Sequence, residues 1–182
     1  MKGKEGYTLI EIVLVLVIIA VLAGILIEPF RQGVKSYIGI ETRADLTSHA
    51  REATTRMVRE LRNIQKKANN TPNINCTPPD RPTDSQIRFV DVLDNDIRFK
   101  HTGSTVKRKD MNTSADNHLA DQVSNLQFRY FDGSNAELTP SPTLSPAQCD
   151  NVRRILLILT MQEGTETVTM PGQAFLRELR GL

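Results

Sequence analysis

The chain has 182 residues, with 23 Lys and Arg against 21 Asp and Glu, for a formal net charge of +2. That near balance lacks the basic excess that nucleic-acid binding draws on, so nucleic acid is not an expected partner. The two cysteines form no CxxC or Cys/His cluster, His49, His101 and His118 are far apart, and no GxSxG, HExxH or phosphate loop is present, so neither metal, cofactor nor catalysis is expected.

The N-terminal residues carry the strongest signal. A short basic leader, Met1 to Gly6, precedes a run from Tyr7 to Ile27 whose only charged residue is Glu11. At about 1.5 Å per residue, such a run crosses a hydrocarbon core of about 30 Å. A carboxylate inside it is costly and marks a functional position by default. A cleavable secretory signal fits poorly. Its apolar region is shorter, about 7–15 residues, and Ala20 and Ala23 lack the small-x-small spacing of its cleavage site. The first cysteine, Cys76, is too late for a lipobox. A plain signal anchor requires neither Gly6 nor Glu11.

Gly6, Tyr7, Thr8, Leu9, Ile10 and Glu11, followed by the aliphatic run, resemble the class III signal of type IV pilins and type II secretion pseudopilins. The resemblance implies cleavage between Gly6 and Tyr7 by prepilin peptidase and N-methylation of Tyr7. Tyr7 replaces the usual Phe, and Glu5 stands where a basic or neutral residue is commoner. The resemblance also implies that Glu11 meets the Tyr7 amine of a neighbouring subunit. A buried carboxylate must find a cation or take up a proton, and such a pairing would fix one axial register. The alternative is a Glu11 that snorkels to the interface.

Lys2 and Lys4 orient the leader to the cytoplasm, which sends the C-terminal bulk outward into a periplasm or beyond. In that oxidising space Cys76 and Cys149 read as a disulfide, with two separate thiols as the alternative. The expected organisation is a leader at 1–6, a transmembrane helix at 7–28, an amphipathic stalk helix at 29–68 and a β-rich extracytoplasmic head at 69–182. The fold class is α+β, with a long helix packed against an antiparallel sheet.

Along the stalk, Leu46, Ala50, Ala53, Met57, Leu61, Ile64 and Ala68 recur at spacings of three or four and form one apolar stripe. Arg51, Glu52, Arg56, Arg59, Glu60 and Arg62 occupy the opposite face, with Glu52 and Arg56 in the favourable acid-first order. Pro29, helped by Gly24, Gly33 and Gly39, is expected to kink the helix or ease its melting.

Asn69 to Asp84 reads as a Pro-rich linker. Alternation around Ile87 and Phe89, then Ile97 and Phe99, then a basic strand at Val106 predicts a three-stranded meander. Asp91, Asp94 and Asp96 read as turn chemistry rather than a calcium site, because EF-hand spacing is absent. Lys107, Arg108 and Lys109 read as a solvated hairpin; no aromatic residues interleave to stack bases. Asp110–Asp116 reads as a loop and Leu119 onward as a helical turn entering a strand over Leu126–Phe131. Pro140, Pro142 and Pro146 predict a second loop. Val152–Met161 is the strongest strand, and Thr165–Met170 returns beside it after Gly164. Ala174–Gly181 is expected as a short strand or a frayed end.

The runs LADQVSNLQFRYFDGSNAEL, VRRILLILTMQEGTETVTM and FLRELR are similar to the J-type minor pseudopilins of type II secretion. They are similar also to minor pilins of the PilW and mannose-sensitive-haemagglutinin biogenesis groups. The resemblance implies a subunit that initiates or caps a filament. Its partners would be prepilin peptidase, other pilins or pseudopilins through the N-terminal helix, and an inner-membrane assembly platform with its ATPase. The second expectation is a tip adhesin or DNA-binding minor pilin.

Overall fold

A computed structural model describes residues 8–113 and 116–176. Helix α1 spans Leu9–Arg62. Among the described residues eight strands follow: β1 Gln86–Val90, β2 Asp96–Thr102, β3 Thr105–Asp110, β4 Asp116–Ala120, β5 Val123–Phe131, β6 Glu137–Leu138, β7 Arg154–Glu163 and β8 Glu166–Phe175. A short helix α2, Pro146–Asn151, lies between β6 and β7. The chain divides into two compact units, Met1–Thr42 and Arg43–Leu182.

The described part of the first unit is helical from Leu9. The Val- and Ile-rich run would suit a strand in water. In lipid, an isolated strand would leave its backbone groups unpaired, and a helix satisfies them internally. Leu9 to Ile27 is long and apolar enough to cross a membrane, and its large side chains are exposed throughout. Helical backbone continues through Pro29.

In the second unit the strands form two antiparallel four-stranded sheets, ordered β1-β2-β3-β4 and β6-β5-β7-β8. The head is thus built from paired sheets rather than one. One apolar core joins both sheets to α1. Leu46, Ala50, Ala53, Met57 and Leu61 of α1 meet Ile87, Phe89, Ile97 and Phe99 of the first sheet and Ile155, Leu157 and Leu159 of the second. Tyr130 ties the sheets together: its buried hydroxyl donates to Thr83 O at 2.7 Å, just before β1. Burial in apolar surroundings, with the Asp84 charge nearby, pushes its phenol well above the ordinary range.

Several expectations need correction. The stalk helix stops at Arg62, not Ala68, and Ala68 is exposed. The chain leaves the helix because residues 63–75 find partners along β1. Gln65 N donates to Val90 O at 2.8 Å, Val92 N to Asn63 O at 2.9 Å and Val90 N to Asn73 O at 2.9 Å. The Pro-rich segment is accordingly no free linker; Ile74 is buried, and it bridges to Phe89. Asp116–Ala120 is a fourth meander strand, not loop and helical turn, because it pairs with Val106–Lys109 across a bulge. β8 runs on to Phe175, matched residue for residue with β7. The tail expectation falls mostly on residues 177–182, outside the described set.

The second Pro-rich loop contains a helix with a readable start. Ser145 and Gln148 form a reciprocal capping box, and Pro146 supplies a preset first position. That helix places Cys149 against Cys76, and the two sulfurs are bonded, with Cα atoms 6.5 Å apart.

Candidate assembly site

The N-terminal site is built on the first turn of α1. Thr8 O accepts from Glu11 N at 3.1 Å and from Ile12 N at 3.2 Å, which opens the helix. Glu11 sits in that turn, where the helix's positive end favours a carboxylate. Its neighbours Leu9 and Ile10 are 82% and 76% exposed. Glu11 makes no ion pair among the described residues. The geometry is a lone acid on an apolar, outward-facing cylinder. Such a surface is stable only against lipid or against other apolar helices. Gly6 and Tyr7 lie outside the described residues.

The head carries charge of a different kind. Arg88 and Arg98 face each other across β1 and β2. Asp80, buried to 7% exposure, bridges them: Arg88 Nη1 donates at 2.5 Å and Arg98 Nη1 at 2.7 Å. Arg88 also forks onto Asp96 through bonds of 2.9 and 2.6 Å. Burial alone would raise the Asp80 carboxyl, but the bonds from Arg98 and Arg88 outweigh it and hold the group below its ordinary 3.8. The Asp96 carboxylate in turn raises Arg88 above its usual range, with burial opposing and Asp80 assisting. The network pins the segment after Cys76 onto the outer face of the first sheet. Sequence reading missed it, because Asp80 falls in a Pro-rich stretch and its partners are set by strand register.

Other sequence candidates resolve one by one. Asp91 Oδ1 accepts from Leu93 N and Asn95 N at 2.8 and 2.9 Å, which makes it a turn residue. Asp94 accepts from Gln65, so the three aspartates are spent separately. Among the described residues no group of acids, His and Cys could hold a metal. The basic run is divided too. Arg108 Nε donates to Glu60 Oε2 of α1 at 2.7 Å, and Lys107 Nζ lies 3.7 Å from Asp116. Arg56 pairs with Glu60 at 3.2 Å rather than with Glu52. Glu60 is half-buried beside Arg108, which draws Arg56 toward that end of the helix.

The family model described as the prokaryotic N-terminal methylation motif matches residues 1–27. Among curated proteins nothing matches the chain. A prepilin-type methylation motif thus leads directly into an apolar helix long enough to cross a membrane, and over those residues the chain is type IV pilin-like. The match ends at Ile27, so the head contributes no part of it.

Proposed function

We propose that the protein is a minor pilin or pseudopilin that inserts in the bacterial inner membrane with its head in the periplasm. Prepilin peptidase cleaves between Gly6 and Tyr7, and Tyr7 is methylated. The subunit then enters a type II secretion pseudopilus or a type IV pilus through the platform in the inner membrane, where it initiates or caps the filament. Its role is structural rather than enzymatic. The single supporting observation is Glu11, a lone carboxylate on an exposed apolar helix within the matched motif. Charge of that kind is tolerated in a helix bundle only with a counter-ion, and the cleaved Tyr7 amine of a neighbour supplies one.

The test uses the full chain in cells with active prepilin peptidase. Mass spectrometry of the mature protein is expected to begin at methylated Tyr7. Glu11→Ala is expected to be cleaved normally yet to be depleted from the sheared filament fraction. Recovery of an intact Met1, or wild-type incorporation of Glu11→Ala, would sink the reading.

A further inference from the structure

The second unit has an open groove between the last turns of α1 and the free edge of β8. It encloses about 610 Å³, and Thr54, Val58, Arg59, Arg62 and Gln173 are among its walls. β8 is the outermost strand of its sheet. In an antiparallel ladder alternate residues turn their backbone groups away from the partner strand. Gln173 is one that turns outward, since its carbonyl accepts from Arg62 Nη2 at 3.2 Å. Thr169 shares that parity. Pro171 does too, so its missing N–H costs no bond to β7 and blunts the edge.

The groove carries two guanidinium groups. Arg59 has no ion-pair partner among the described residues, and Arg62 is engaged only by a carbonyl. No carboxylate among the described residues lines the walls. The helix C-terminus itself favours the two arginines, but that does not account for the open strand edge.

We propose that this groove binds an extended, acidic peptide segment of a partner protein. Its backbone would pair with the outward groups of Thr169 and the outward N–H of Gln173, and its carboxylates would meet Arg59 and Arg62. An extended peptide satisfies both features at once, whereas a free anion or a lipid headgroup satisfies only the charge. The site lies wholly in the second unit and does not depend on the pilin reading, so either can fail alone.

The test uses the full chain in nonionic detergent and fluorescence anisotropy. The probes are labelled peptides of about ten residues that alternate Thr with Glu or Thr with Lys. The Glu peptide is expected to bind and the Lys peptide not to. Arg59→Glu alone, and with Arg62→Glu, should weaken binding by about tenfold or more. A melting curve for each variant identifies any loss due to unfolding; Arg59 is exposed, so its variant is expected to fold. Equal binding of both peptides, unchanged affinity in folded Arg59→Glu, or no peptide binding would overturn the proposal. So would retention by phosphatidylglycerol vesicles, lost in the same variants, without peptide binding.

Discussion

Gly172 permits a close approach between α1 and β8. A methyl group placed there would stand 2.6 Å from Thr54 Cγ2 and 2.7 Å from Val58 Cγ2. Both neighbours are β-branched and stiff at χ1, so neither swings aside cheaply. Gly172→Ala is expected to destabilise the protein by about 1–3 kcal/mol, read from the urea midpoint in detergent. Asp80 matters for a different reason. Asp80→Asn leaves Arg88 and Arg98 opposed with one neutral group between them, and should cost roughly 3 kcal/mol at neutral pH. The pH sign follows from its lowered carboxyl. The unfolded group titrates near 3.8 and the folded one lower, so the Asp80 contribution is complete above 3.8. Below that value the unfolded chain binds a proton first, and stability falls as pH falls. Wild type should therefore lose more stability than Asp80→Asn across that acid window, in denaturation curves taken at several pH values. Glu11 is legible in the sequence because one charge interrupts an apolar run. Asp80 is not, because strand register chooses its partners.

At the scale of elements, α1 and the meander are legible from period alone. The stripe from Leu46 to Leu61 has a helical spacing and is buried, and β1 and β2 alternate as Ile87, Phe89, Ile97 and Phe99 demand. The errors fall where tertiary pairing overrides local pattern. Residues 63–68 carry a helical signal yet pair along β1, and Asp116–Ala120 is polar enough to read as loop yet completes a sheet. α2 differs, since Ser145, Pro146 and Gln148 spell a helix start that the surrounding prolines obscure. Its position makes the disulfide an element-scale clamp. Cys76 and Cys149 are 73 residues apart, and closing such a loop in the unfolded chain is worth roughly 4 kcal/mol in the chain-entropy model. Cys149→Ser, or reduction of the wild type, is expected to lower the urea midpoint by a matching amount. Both treatments together should do no more than either alone.

On the scale of the molecule, the two units answer to different solvents. Residues from Thr8 to Asp45 contribute nothing to a buried core, and every large side chain from Leu9 to Ile27 is exposed. The core of the second unit begins at Leu46 and draws its helix residues from there onward. The sequence divides the same way, because an uninterrupted aliphatic run selects lipid while a one-sided stripe selects a water-facing head. What the sequence withholds is that the head uses two sheets around one core, since sheet order depends on contacts between distant strands. If the second unit carries its own core, removal of Met1–Thr42 takes away none of the described core residues and frees the chain from detergent. The fragment Arg43–Leu182 is therefore expected to be soluble and oxidised. It should melt cooperatively, with a urea midpoint close to that of the full chain in detergent. The loss of a continuing helix at its N-terminus should appear only as fraying before Leu46, visible as weakly protected amides in hydrogen exchange. A fragment that aggregated, or unfolded without a cooperative transition, would show that the head draws its order from the N-terminal segment.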